Sequence, residues 1–128
     1  TNLYKKTMVN VLNLLSKHYK PSEIGIKNHP NFPPEDLGNS NDYVIVQNII
    51  PASLLCYTSE LIIGYGSATL YEASNVGKTA ISLINIIPSI ESGKRQRTTA
   101  YLLDNCISKN ILFPADLEEL DCLFAERL

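Results

Sequence analysis

The spacing of apolar residues changes repeatedly along the chain, and each change predicts an element. Residues 4–19 carry Met8, Val11, Leu12, Leu14 and Leu15 at helical spacing, and Pro21 is expected to stop that helix. Residues 23–27 predict a short strand. Residues 29–41, with Pro30, Pro33, Pro34 and Gly38, predict an ordered loop. A β-branched strand follows at 43–47. A short helix at 51–58 has Pro51 in its first turn. Residues 60–64 predict a buried strand, and 67–76 a helix with Ser67 near its start and Gly77 at its end. Another apolar strand covers 78–84. A helix at 93–108 places Tyr101, Leu102 and Ile107 on its apolar side. A short strand at 111–113 closes the series. A last helix, capped by Asp116, carries Leu117, Leu120, Leu123 and Phe124.

Helices and strands therefore alternate through the chain. Strands with continuous apolar runs are buried on both faces, which predicts an α/β fold: an open, mainly parallel, Rossmann-like sheet with helices on both sides. Right-handed crossovers would gather the strand–helix loops on one edge. Ligands of such sheets bind beyond the carboxyl ends of the strands.

The length, 128 residues, bounds the chain to one domain or part of one, and we expect a single domain over 1–128. A composition of 45% hydrophobic and 19% charged residues is that of a globular protein, not a disordered one. The net charge of -2 argues against broad electrostatic binding to nucleic acid but leaves room for a local anion site built from backbone N–H groups. The longest apolar runs, near 61–64 and 80–87, fall short of the roughly 18 residues of a membrane span. Cys56, Cys106 and Cys122 are far apart and form no CxxC pair, so free thiols in a reducing cytosol are expected. We read no signal peptide. Because Thr1 already lies inside a helical pattern, a fragment of a larger protein is expected.

Two loops could hold chemistry. In Ile26-Lys27-Asn28-His29-Pro30 a strand ends at the edge where ligands bind, and Pro30 restricts His29 to extended geometry. A histidine there can donate to a phosphate oxygen or act as a general acid near neutral pH; the plain alternative is a surface histidine in a proline-rich loop. In the segment 60–72 a buried strand enters Gly64-Tyr65-Gly66-Ser67-Ala68-Thr69 and then a helix. Gly64 and Gly66 would let a ligand approach the backbone, the helix start offers N–H groups, and Ser67 and Thr69 add hydroxyls. That set suits a phosphate, while a simple Ser67 cap is the structural alternative. Glu72, one turn on, could accept from ribose hydroxyls or merely favour the helix dipole.

Other patterns are weaker. Gly77-Lys78-Thr79 imitates the end of a P-loop, but Glu72 stands where its first glycine belongs and a helix precedes it. The segment from Gly64 imitates a dinucleotide fingerprint with Thr69 in place of the third glycine. Lys94, Arg95 and Arg97 form a basic run that reads as a solvated face, with an acidic acceptor or a membrane surface as the other option. The cysteines have no neighbouring His or Asp pattern that would make one a nucleophile.

Taken together, Lys27-Asn28-His29-Pro30, then Ile50-Pro51-Ala52 with Leu54-Leu55, then the strand entering Gly64 with Ser67, Leu70 and Tyr71, resembles the C-terminal half of bacterial sialyltransferases of the two-domain GT-B fold. The polysialyltransferase and lipooligosaccharide sialyltransferase groups are nearest. The resemblance spans about residues 23–84. It implies that His29 meets the phosphate of CMP-sialic acid and assists departure of CMP, with Pro30 shaping the turn. It gives Lys27 and Asn28 a backbone contact to cytosine, although the family usually has Gly at the position of Asn28. The family's Ser-Ser or Ser-Thr phosphate pair reads here Ser67-Ala68-Thr69. Its acidic ribose contact is replaced by Ser53, leaving Glu60 and Glu72 as the nearest carboxylates. UDP-sugar 2-epimerases and the glycerol-phosphate polymerases of teichoic acid synthesis share part of the outline from Gly64 to Thr79.

The resemblance thus implies a cytoplasmic donor-binding half of a glycosyltransferase in capsule or lipooligosaccharide synthesis. Its partners would be a nucleotide-sugar, a glycan acceptor, a separate acceptor-binding domain and, peripherally, the inner membrane, with no nucleic acid. The acceptor base would lie on that second domain. The sequence has no aspartate-rich cluster, so transfer without a metal or other cofactor is expected. The isolated chain would bind nucleotide weakly and transfer little. A non-catalytic assembly module and an unrelated flavodoxin-like domain, betrayed by flavin absorbance, are the competing classes.

Overall fold

The structure, a computed structural model, describes residues 2–27, 43–47, 49–88 and 90–126. Asn28, His29 and Pro30 lie outside them, as does the whole proline-rich segment 29–41. The chain forms two compact units, residues 1–50 with 117–128, and residues 51–116.

In the first unit, helix α1 (Asn2–Leu15) presents Val11, Leu12 and Leu15 as its buried stripe. The helix ends at Leu15, well before Pro21, and does not run to residue 19. Turns continue it through the Tyr19 N–H bond to the Leu15 carbonyl, and Pro21 opens a separate short 3-10 helix, Pro21–Glu23. Proline suits a helix start because its missing N–H would be unpaired there. The Glu23 carboxylate accepts the Lys20 N–H at 2.9 Å. Strand β1 (Gly25–Ile26) then pairs in parallel with β2 (Val44–Ile45).

Helix α5 (Leu117–Glu126), which begins directly after Asp116, packs on α1 through buried Leu120 and Phe124. His18 ties the two together. Its Nε2 lies 2.8 Å from Asp121 Oδ1, and its ring meets Phe124 edge-on.

The second unit holds α2 (Ala52–Thr58), β3 (Leu61–Gly64), α3 (Ala68–Asn75), β4 (Thr79–Ser82), α4 (Ser92–Asp104) and β5 (Ile111–Leu112). The three strands form a parallel sheet in the order β3-β4-β5. Ile62, Ala80 and Ile111 share one cluster with Cys56 of α2, Leu70 and Ala73 of α3, and Leu102 of α4. The three helices of this unit therefore lie over one face of its sheet. Sequential strand order explains this, because each crossover of the same hand returns on the same side. Ile81, which points to the other face, is also buried, so β4 has the two-sided burial that its apolar run predicted.

The fold is thus mixed α/β with small parallel sheets flanked by helices. The described strands fall into two sheets of two and three strands, where one open sheet was expected.

Local signals set the ends of α3. Ser67 is its N-cap, in extended geometry, and its side chain accepts from the Thr69 N–H. At the other end Gly77 takes φ 86°. Its N–H reaches Ser74 O, and that of Lys78 reaches Ala73 O. This paired closure is a Schellman motif, and the left-handed residue it needs is the reason for glycine. Gly77-Lys78-Thr79 is therefore a helix stop and strand start, not a phosphate loop.

Helix α4 ends earlier than predicted. The Asn105 side chain donates to Tyr101 O at 2.8 Å, and the Lys109 ammonium, from a residue with φ 57°, donates to Leu103 O. Ile107 lies beyond the helix and is 90% exposed, where the sequence placed it on the apolar face.

Candidate functional site

The carboxyl edge of the three-stranded sheet carries two connections, the β3–α3 turn at 65–67 and the β4–α4 loop that follows Ser82. Leu83 N–H donates to Gly64 O at 2.8 Å, which carries the strand pairing to the start of the turn. Ser82 Oγ donates to Tyr65 O at 2.6 Å and accepts from the Ile84 N–H. One buried hydroxyl therefore joins the two connections.

Gly64 and Gly66 were expected to admit a ligand. The structure gives Gly66 a packing reason instead. A Cβ there would lie 2.8 Å from Thr98 Cγ2 of α4, closer than side chains tolerate. A Cβ on Gly64 would make ordinary contact with Leu70. Neither glycine has a positive φ, so neither is required by the turn's conformation.

The hydroxyls are arranged asymmetrically. Ser67 Oγ accepts the Thr69 N–H at 3.2 Å and donates to Thr69 Oγ1 at 3.1 Å. With the Ser67 proton engaged, the Thr69 hydroxyl is the one whose proton can turn to a ligand. Ser67 is exposed and Thr69 half-buried. The two share the start of α3, where the backbone dipole favours an anion.

Lys94 joins them from α4. Its Nζ stands 5.8 Å from the centre of the Tyr65 ring, a cation–π arrangement that parks the charge over the turn. Arg95, its neighbour in the basic run, does not face solvent as that run predicted. Its guanidinium donates to the carbonyls of Ile84, Asn85, Ile87 and Ile90, each at 3.1 to 3.2 Å. The sequence showed both cations but not their different jobs, which depend on the path of the loop between β4 and α4.

Glu72 is half-buried on α3, one turn from this edge. Its effect is felt toward α2: burial first, and the Glu72 charge second, push the Cys56 thiol above its ordinary range. It also adds to the rise of the Tyr71 hydroxyl, whose main cause is a hydrogen bond with Tyr101. Lys27 follows β1 in the other unit. His29, Asn28 and Pro30 fall outside the described residues.

A second polar cluster lies at the opposite end of α3 and α4. Cys106 is 1% exposed, and its Sγ is 3.3 Å from both Ser74 Oγ and Ser108 Oγ, which are 2.6 Å from each other. Burial pushes this thiol up. Hydrogen bonding with Ser108, Ser74 and the backbone of Asn110 and Lys109 outweighs burial and brings it down to about 7. No signal in the sequence marked it, because its partners come from residues 32 positions away as well as two. All three cysteines are free, with Cys122 exposed.

Among the described residues no group of three His, Cys, Asp or Glu side chains could hold a metal, and no helix is long and apolar enough to cross a membrane. Compared with known proteins, the chain matches no family model, and neither a curated protein nor a solved structure is significantly similar to it.

Proposed function

We propose that the 51–116 unit binds the phosphate of a nucleotide-activated sugar at the carboxyl edge of its sheet. On this proposal the chain is the donor-binding half of a glycosyltransferase, with CMP-sialic acid as the favoured donor. The observation that supports it is the β3–Tyr65-Gly66-Ser67–α3 connection. A parallel strand enters a helix start that presents Thr69 and Ser67 hydroxyls, with the Lys94 ammonium parked over the same turn. The Thr69 hydroxyl proton, the backbone dipole and the ammonium all complement an anion.

In the transfer itself, the bond between the sugar's anomeric carbon and the phosphate oxygen breaks, and its electron pair stays on that oxygen. Supplying a proton to the departing phosphate is the role that the sialyltransferase resemblance gives to His29. The acceptor hydroxyl oxygen bonds to the anomeric carbon and gives its proton to a base assigned to a second domain.

Calorimetric titration of the 128-residue chain with CMP, CDP, UMP and UDP tests the proposal. Saturable binding with CMP tightest is expected. Thr69→Ala should weaken it about tenfold, what a hydrogen bond to a charged group is worth. His29→Ala reads the histidine separately. Tightest binding of UDP would move the assignment to an epimerase-like donor site. Absence of binding by any of the four at millimolar concentration would overturn it.

A further inference from the structure

Arg95 makes four hydrogen bonds to carbonyls at the carboxyl edge, and the chemistry just proposed does not use it. Its Nε donates to Ile90 O, Nη1 to Ile84 O and Asn85 O, and Nη2 to Ile87 O. A guanidinium presents its donors in a rigid planar fork, which a lysine cannot reproduce. The four carbonyls belong to one loop, so the fork holds that loop at several points at once. The loop's apolar residues Ile84 and Ile87 are buried.

The consequence reaches the candidate site. Arg95 sits in the first turn of α4, between Lys94, whose ammonium is over Tyr65, and Thr98, whose methyl fills the space a Gly66 side chain would need. The loop it grips begins at Ser82, whose hydroxyl holds the Tyr65 carbonyl. Loop, α4 start and β3–α3 turn are thus joined through Arg95 and Ser82.

We propose that Arg95 is a positioning residue. By clamping the β4–α4 loop it holds the start of α4, and with it Lys94, against the β3–α3 turn, and so sets phosphate affinity without touching phosphate. This rests on the function proposed above. Arg95→Lys, which keeps the charge and loses the fork, separates the two ideas.

In the full chain, hydrogen exchange of amides 84–87 and 65–67 should quicken about tenfold in this variant. Affinity for CMP should fall about tenfold, as for a lost charge-assisted hydrogen bond, while any affinity for cytidine, which lacks the phosphate, stays at the wild-type value. A merely structural role would lower both affinities together. Wild-type CMP binding in the variant, or exchange unchanged at 65–67, would overturn the positioning role and leave the proposed function standing. A wild-type chain that binds no CMP would overturn the proposed function, and the exchange at 65–67 alone would then decide whether Arg95 holds the turn. Should Arg95→Lys fail to fold, Ser82→Ala cuts the other tie. It must produce the same selective loss of CMP affinity, and equal affinity to wild type would refute the proposal.

Discussion

The two ends of helix α3 show the difference between polar groups that serve the fold and polar groups left for a ligand. At its carboxyl end Ser74, Cys106 and Ser108 satisfy one another, Asn75 accepts the Ile107 N–H and donates to Asn105 O, and Gly77 closes the helix. These groups are partnered within the protein, and burying them otherwise would be costly. At its amino end Ser67 both caps the helix and bonds the Thr69 hydroxyl, while the Lys94 ammonium lies over the Tyr65 ring of the same turn. Both ends are rich in small polar residues. Only their bonding separates a structural knot from a candidate anion site.

The largest test of that contrast is Gly66→Ala. The new methyl would meet Thr98 Cγ2 at 2.8 Å, so the Thr98 side chain or α4 must shift. A loss of about 2–3 kcal/mol in urea unfolding is expected, the usual range for overpacking. Thr98→Ser removes the opposing methyl and should restore most of it in the double variant. If the single substitution is neutral, the glycine is not there for packing.

Ser74→Ala addresses the other end. It strips a buried partner from both Cys106 and Ser108, with an expected loss of about 2 kcal/mol on the same assay. An unchanged unfolding midpoint would mean that the knot is ornamental.

The Cys106 thiol makes the knot pH-dependent. Its folded value, lowered to about 7, lies below the ordinary 9.0. A group held low in the folded state adds stability that is fully present above the unfolded value and is lost as pH falls through the folded one. Wild-type stability relative to Cys106→Ala should therefore rise by on the order of 1–2 kcal/mol between roughly pH 7 and pH 9. A pH-independent difference would show that the thiol stays neutral.

Ser67→Ala removes the cap and should cost about 1 kcal/mol. Lys94→Ala, at the exposed ammonium, should change stability by less than about 0.5 kcal/mol while weakening CMP. That dissociation between stability and binding is the mark of a group that serves a ligand. If Lys94→Ala leaves CMP binding intact, its charge is a bystander over Tyr65.

Much of this edge was legible before folding. Ser67 before an apolar run read as a helix start and is the cap. Gly77 read as the stop and takes the left-handed conformation. Both signals act within a few residues, through hydrogen bonds the local backbone must make. The meaning of Gly66 was not legible, since its reason is a methyl 32 residues later. Nor was that of Arg95, which looked like part of a solvated run until the loop brought four carbonyls to it.

By itself, then, the sequence determined the order of the helices and strands and where α3 begins and ends, whereas the strand expected to be buried at 60–64 is half-buried and β4 is the one buried along most of its length. That order and those ends follow from apolar spacing and capping chemistry, which are short-range. Only the tertiary structure decided that the described strands divide between two sheets, that the helices of the second unit share one face, and that Gly66, Arg95 and Cys106 are held by distant partners. Those outcomes depend on which segments meet, and an unaligned sequence does not encode such meetings in any local pattern. They arise when buried polar and apolar groups together find one arrangement that satisfies them all.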